Sequence, residues 1–321
     1  MLYSFIPEEF QPILAFLAIM LAFVFTVAAT ANLGELLPRD AGREFAHDGK
    51  LSAGKPRGAG IIFVLAFAIT AFFFSPINPE IVIYLALLIV CMMTGFMDDA
   101  AKTPWGEYRK GILDLCVAAL VAMTFLKYNP SVIELAFFDI HITIPPVIFG
   151  ILAVILIWAS VNVTNCSDGV DGLSGTLTII TIMTIYIINQ VKGVGEDFSF
   201  LMLLFSVCIL GYLWFNATPS RLMMGDAGSR AMGLFIAIAI LKTGSPLLYI
   251  PVAIVLILDG GLGLIKVFLL RFLKIHIMKN TRLPLHDHVR KVMNWSNTQT
   301  VFRFAIIQII VSMAVVYGIS I

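Results

Sequence analysis

The chain has 321 residues, of which 60% are hydrophobic and 13% are charged, and its formal net charge is +1. A soluble protein of this length would carry about a quarter charged residues, so the composition excludes that class and indicates an integral membrane protein. The small net charge gives no reason to expect a nucleic-acid partner. Long apolar runs predict helices, because the strands of a membrane barrel would alternate apolar and polar residues.

Windows of about 20 apolar residues predict ten transmembrane helices in one polytopic domain that covers 1–321. The predicted spans are 11–31, 58–75, 81–97, 112–126, 145–163, 173–190, 199–216, 230–244, 247–272 and 301–321. No basic residue precedes the first apolar run, unlike in a signal peptide, so we expect the first span to be retained. The ninth span contains Gly260, Gly261 and Gly263, which suggest a bend or close helix packing.

Basic residues are distributed unevenly between the loops. Loops that follow odd-numbered spans hold sixteen Lys and Arg residues, whereas those after even-numbered spans hold three, Lys127, Lys192 and Lys242. Because Lys and Arg concentrate in cytoplasmic loops, the odd-numbered loops are predicted to be cytoplasmic and both termini to lie outside. The acids of the outer loops show no pattern, and we expect them to be scattered.

Four polar segments fall in the predicted cytoplasmic loops. They are GFMDDAAK from Gly95, NVTNCSDGVDGLSG from Asn162, FNATPSRLMMGDAGSR from Phe215 and LPLHDHVRK from Leu283. Any one of them could be a solvated helix end or an ordinary surface loop. Their gathering on one side of the membrane indicates instead a single active site formed by the cytoplasmic loops.

The residue types of these segments favour phosphate chemistry with a divalent metal. Carboxylates held close together repel each other and call for a cation, and hard oxygen ligands select Mg²⁺, with Mn²⁺ as an alternative. Glycines directly before a helix leave backbone N–H groups that can face an anion. The position at the membrane face suggests that one substrate is a lipid.

The four motifs, in this order and at these spacings, resemble those of the polyprenyl-phosphate N-acetylhexosamine-1-phosphate transferases. The resemblance covers essentially the whole chain. It implies a bacterial inner-membrane enzyme that uses Mg²⁺ to move a sugar phosphate from a UDP-sugar to undecaprenyl phosphate, with release of UMP. MGDAGS, GKPRGAG and PLHDH followed by WSN look most like the subgroup that transfers phospho-MurNAc-pentapeptide to form lipid I for peptidoglycan. The oligomeric state stays open, with a homodimer as one alternative.

The resemblance also implies roles for individual residues. Asp226 matches the essential Mg²⁺-binding aspartate, and Asp98 matches the group that orients the lipid phosphate for direct attack, which we favour over an aspartyl-phosphate intermediate. The other residues that match catalytic positions are Asp99, His286 and His288. Those assigned to substrate binding are Lys102, Asn165, Asp168, Asp171, Gly172, Leu173, Asn216, Met223 and Lys266.

Departures from the subgroup's pattern leave a second donor open. Asp287 stands where the subgroup has the middle histidine of a triple, and Met223 stands where it has phenylalanine beside the uracil. A relative that uses UDP-GlcNAc is therefore the main alternative. A proton-coupled transporter is a further alternative of another class, but its acids would lie near the membrane midplane and its sequence would show repeats.

Overall fold

The computed structural model of the chain describes residues 5–40, 42, 52–101, 103 and 105–321. Lys102, one of the predicted substrate-binding residues, lies outside this part. The helices are α1 Gln11–Leu33, α2 Gly60–Phe74, α3 Pro79–Asp99, α4 Glu107–Tyr128, α5 Pro146–Cys166, α6 Leu173–Lys192, α7 Glu196–Asn216, α8 Gly225–Lys242, α9 Pro246–Val252, α10 Ile254–Leu273, α11 Leu285–Lys291 and α12 Asn297–Ser320. A two-stranded antiparallel hairpin, β1 Val132–Leu135 and β2 Ile140–Thr143, follows α4.

The prediction of a helical membrane protein is confirmed. Within the described residues, seven helices are long and apolar enough to cross a membrane, and α9 with α10 makes an eighth if this bent pair is one span. Helix α2 is apolar but has 15 residues. The hairpin was not predicted, although VIEL and IHIT contain the β-branched residues that favour strands.

Helix α8 forms the centre of the fold and is buried from Gly225 to Leu241. Small residues let neighbouring helices approach it closely: a Cβ on Gly60 of α2 would lie 2.0 Å from the backbone nitrogen of Gly228. By contrast, α1 and α12 turn many apolar side chains outward, as lipid-facing helices do. The acidic motif at the start of α8 is therefore held by a rigid core.

The predicted bend of the ninth span is present, but its position differs from the glycines. The axis turns by 71° between α9 and α10, at Ala253. Buried Gln308 of α12 stabilises this break, because its side chain accepts from Val255 N at 3.0 Å and donates to Val252 O at 2.9 Å. Gly260 serves close packing instead, since a Cβ there would lie 2.2 Å from the carbonyl oxygen of α5 Val163.

Three acids of the predicted outer loops, Glu80, Glu134 and Asp197, belong to an ion-pair network, so the expectation that the outer acids are scattered is wrong for these three. Lys192 Nζ lies 2.6 Å from Glu134 Oε2. Lys242 Nζ lies 3.1 Å from Glu80 Oε2 and 3.4 Å from Asp197 Oδ2. The network ties the ends of α3, α6, α7 and α8 and the hairpin together on the face opposite the acidic motifs.

Candidate active site

Backbone pairing brings the first predicted cytoplasmic loop onto the loop before α8. Met223 N donates to Pro56 O at 2.8 Å, and Ala59 N donates back to Met223 O at 3.0 Å. Gly60 N then donates to Met224 O at 3.0 Å. This short ladder places the Arg57 side chain directly beside the start of α8.

Arg57 bridges three carboxylates that come from three separate segments. Its Nε lies 2.8 Å from Asp99 Oδ1, one terminal nitrogen lies 3.2 Å from Asp40 Oδ1, and the other lies 3.5 Å from Asp226 Oδ1. Burial disfavours the guanidinium charge, but these three carboxylates outweigh that effect, so the pKa of Arg57 is raised above its usual range. Arg57 and Asp40 were absent from the predicted site.

Lys110, near the start of α4, is the second cation between the acidic motifs. Its ammonium pairs with Asp98 Oδ2 and lies 3.2 Å from Asp226 Oδ2. The other oxygen of Asp98 accepts the backbone N–H of Trp105 at 2.7 Å. We call Asp40, Asp98, Asp99 and Asp226, with Arg57 and Lys110, the carboxylate cluster.

The glycine of the GDAG motif makes room for this cluster. Gly225 has a φ of +67°, and a Cβ there would lie 2.1 Å from Asp99 Oδ2. The same oxygen accepts the backbone N–H of Ala227 at 3.1 Å, so the Asp99 carboxylate lies against the N-terminal end of α8. Asp226 was expected just before the eighth span, but it belongs to the first turn of α8, because the helix begins at Gly225.

The second half of the site is the segment from Asn165 to Leu173, which is held by the side chain of Asn216 at the end of α7. Asn216 Oδ1 accepts Gly172 N at 2.8 Å, and its amide donates to Leu222 O at 2.8 Å. Leu173 N donates to Val170 O at 3.0 Å, and the Leu173 side chain is fully buried. The backbone N–H groups of Gly172 and Leu173 therefore have acceptors within the chain, and both residues shape the loop.

A cleft of about 140 Å³ opens between the two halves. Six predicted residues line it: Asn165, Asp168, Asp171, Asn216, Met223 and Asp226. Asp40, Ser52, Arg57 and Tyr212 line it as well and were not predicted. The cleft thus joins one end of the carboxylate cluster to the asparagines and aspartates of the second half.

His286 lies behind this cleft and supports its wall. His286 Nδ1 is 2.8 Å from Asp259 Oδ2, in a pair whose side chains are almost fully buried. A Cβ on Gly169 would lie 2.2 Å from His286 Nε2, so the glycine allows the imidazole to reach the loop. Arg290, which follows on α11, donates to Gly169 O at 3.2 Å.

His288 and Lys266 do not line the cleft. His288 Nδ1 lies 3.4 Å from the backbone nitrogen of Arg282, within its own loop. The ammonium of Lys266 donates to Met278 O at 2.9 Å and to Thr281 O at 3.0 Å, and so ties that loop to α10. Their assignment to catalysis and substrate binding stays a prediction.

The residues of the site fit a metal ion that takes one or two ligands from the protein and the rest from water and substrate phosphate. In the described part of the chain, no three His, Cys, Asp or Glu side chains are close enough to hold a metal by themselves. The four carboxylates of the cluster nevertheless outnumber its two basic side chains by two. Magnesium usually takes one or two protein carboxylates and fills its shell with water and phosphate oxygens, so Asp226 at the edge of the cleft suits it.

Comparison with known proteins agrees with this site. Residues 81–244 match glycosyl transferase family 4. The chain is 36% identical over 312 residues to the phospho-N-acetylmuramoyl-pentapeptide-transferase of Treponema pallidum (strain Nichols), covering 91% of this chain and 85% of that protein. Enzymes of the same name from Borrelia hermsii (29% over 284 residues, 80% and 79% covered) and Wolbachia pipientis wMel (25% over 271 residues, 80% and 82% covered) are also similar. The chain therefore belongs to glycosyl transferase family 4, in the branch of the phospho-N-acetylmuramoyl-pentapeptide transferases.

Proposed function

We propose that the chain transfers phospho-MurNAc-pentapeptide from UDP-MurNAc-pentapeptide to undecaprenyl phosphate, giving lipid I and UMP. The observation that carries this proposal is the cleft, which joins the Asp226 end of the carboxylate cluster to the amide and acid side chains of Asn165, Asp168 and Asn216. The amides can hydrogen-bond a base, Arg57 can meet a phosphate, and relatives that align over 85% and 79% of their length are named for this reaction.

The proposed topology has ten spans in the bacterial inner membrane, with both termini outside and the cleft facing the cytoplasm. The uneven distribution of Lys and Arg between loops supports this orientation. In addition, the loops predicted to be cytoplasmic contact each other. Arg57 pairs with Asp226, Ser220 N donates to Asp171, and Arg290 donates to Gly169 O. A soluble UDP-sugar would then reach the cleft from the cytoplasm, and the lipid phosphate from the adjoining leaflet.

In this proposal the nucleotide donor lies across two regions of the cleft. The uridine lies against Asn165, Asp171 and Met223, and the diphosphate lies toward Arg57 and Asp226. Asp171 is already positioned, because its Oδ2 accepts Ser220 N at 3.2 Å. This placement keeps the phosphorus atoms next to Arg57 and directs the sugar out of the cleft.

In the proposed reaction, an oxygen of the lipid phosphate attacks the β-phosphorus of the donor. The bond from that phosphorus to the oxygen bridging the two phosphates breaks, and UMP leaves with both bonding electrons. The lipid phosphate is already largely ionised at neutral pH, since the second pKa of a phosphate monoester is about 6. Catalysis therefore depends on positioning and on charge neutralisation rather than on a strong base.

The paired aspartates act by positioning cations. The side chain of Asp99 is fully buried and Asp98 is nearly so, and each already pairs with a basic side chain, Arg57 or Lys110. Such carboxylates are poorly placed to attack phosphorus, which supports direct transfer over an aspartyl-phosphate intermediate. Lys110, whose side chain is 28% exposed, is the part of the Asp98 pair that can face a phosphate.

Asp226 is the proposed ligand of Mg²⁺, for which Mn²⁺ could substitute. When bound, the ion would neutralise the charge that develops on the phosphate oxygens. The chain's own contribution is to hold Asp226 at the rim of the cleft, between Arg57 and Lys110.

The test is a product assay with the purified chain, undecaprenyl phosphate and Mg²⁺. UDP-MurNAc-pentapeptide and UDP-GlcNAc are supplied in separate reactions, and UMP and the lipid product are measured. We expect UMP and lipid I with the first donor and no product with the second. Product with UDP-GlcNAc alone would show that the donor is wrong, and absence of UMP with both donors would contradict the transferase.

A further inference from the structure

Arg57 is fixed by two carboxylates that are almost fully buried. Its Nε lies 2.8 Å from Asp99, whose side chain is 0% exposed, and one terminal nitrogen lies 3.2 Å from Asp40, whose side chain is 4% exposed. A planar guanidinium held at two of its three nitrogens has little rotational freedom left. The direction of its third nitrogen is therefore set by the fold.

That third nitrogen points to the cleft. It lies 3.5 Å from Asp226 Oδ1, which is the longest of the three contacts and the one most readily given up. The Arg57 side chain keeps 17% of its surface exposed, and Arg57 lines the cleft together with Asp226. A ligand in the cleft would meet this edge of the guanidinium.

Arg57 has the only basic side chain among the described residues that line the cleft. The acidic lining residues are Asp40, Asp168, Asp171 and Asp226. A diphosphate that enters such a site meets carboxylates on several sides, and each repels it. Lys110 contacts Asp226 from behind and does not line the cleft.

We propose that Arg57 binds the diphosphate of the nucleotide donor through this third nitrogen, while Asp99 and Asp40 hold the guanidinium in position. The donor class rests on the proposed function. Arginine suits the role because it stays charged and meets phosphate oxygens with directed N–H groups. A merely structural Arg57 would join the three segments without contacting a ligand, and the two roles have different consequences for binding.

The experiment measures the binding of UDP, of uridine and of Mn²⁺ alone to the purified protein in detergent, by isothermal titration calorimetry. The variants are Arg57→Gln, Arg57→Lys and, as a control, Arg39→Gln. Arg39 is half exposed, pairs with Glu35 and does not line the cleft, so its substitution removes the same charge from the same loop.

We expect Arg57→Gln to weaken UDP binding by about tenfold to a hundredfold, the range of one charge-assisted hydrogen bond, and to leave uridine binding within twofold. Mn²⁺ should bind as well as in the wild type or more tightly, because one oxygen of Asp226 loses a competing cation. Arg57→Lys keeps the charge, but its single ammonium cannot span Asp99 and Asp40 as the guanidinium does. We expect it to lose less UDP binding than Arg57→Gln and to keep uridine and Mn²⁺ binding. Arg39→Gln should match the wild type.

Two results would overturn the proposal. UDP binding within twofold of the wild type in both Arg57 variants would show that the guanidinium does not contact the diphosphate. Equal losses of UDP, uridine and Mn²⁺ binding would assign Arg57 a structural role. Failure of the wild type to bind UDP at all would contradict the proposed function as well, so the two failures are distinguishable.

Discussion

The imidazole of His286 and the carboxylate of Asp259 form a buried pair, in which the carboxylate contacts both the ring and the backbone N–H of His286. Nδ1 of His286 lies 2.8 Å from Asp259 Oδ2, and the backbone N–H of His286 donates to Oδ1 at 2.8 Å. Asp259 lies on α10, so the pair fastens the last predicted cytoplasmic loop to that helix. Because His286 then reaches Gly169, the pair also supports the wall of the cleft.

Asp259→Asn is expected to reduce transferase activity by about tenfold, since one hydrogen bond to a charged group is lost and the imidazole can turn. His286→Gln should have a similar effect, and the double variant should be no worse than either single one. A double-mutant cycle on UMP formation checks this. Losses that multiply would show that the two residues do not act as a unit.

Gly225→Ala tests the contact between the GDAG motif and Asp99. The substitution places a side chain at a φ of +67° and within 2.1 Å of the Asp99 carboxylate, so we expect loss of activity and a lower melting temperature. Gly54→Ala is the matched control, because Gly54 has a φ of +83° but open space around its Cβ position. It carries only the backbone strain of about 1–2 kcal/mol. Equal effects of the two substitutions on activity would contradict a role for the Asp99 contact.

The helices and the acidic motifs could be predicted from the sequence because both signals are local. Apolar runs indicate helices wherever these pack, and a helix is present at each of the ten predicted spans. Among the described residues, seven of these helices, or eight with the bent pair, are long and apolar enough to cross a membrane. Glycine-flanked aspartates are also a local signal, and they predicted the cleft: six of the predicted residues line it.

Contacts between residues far apart in the chain could not be predicted in this way. Arg57 joins the site through a backbone pairing with Met223, and nothing in its own segment indicates that partner. The bend at Ala253 is stabilised by Gln308 from another helix, whereas Gly260 of the same span serves the close packing that was the other alternative. Glu80 and Lys242 are 162 positions apart, which explains why the outer acids seemed scattered.

The network on the opposite face is expected to stabilise the fold. Replacing Lys192 by Met leaves Glu134 nearly buried without its cation, and breaking such a pair costs about 3 kcal/mol. Adding Glu134→Gln should recover part of the loss. Thermal unfolding in detergent measures both, with the exposed Arg271–Glu107 pair as a control that should show no measurable change. A melting temperature unchanged in Lys192→Met would contradict this role.

The most direct test of the account compares Asp226→Asn with Asp197→Asn in Mg²⁺-dependent UMP formation from UDP-MurNAc-pentapeptide and undecaprenyl phosphate. Both substitutions remove one aspartate charge, but Asp226 lines the cleft whereas Asp197 pairs with Lys242 on the opposite face. We predict that Asp226→Asn lowers the rate by about 10²-fold or more while the protein stays folded, and that Asp197→Asn keeps the wild-type rate. A folded Asp226→Asn variant with a rate within tenfold of the wild type would contradict the proposed site.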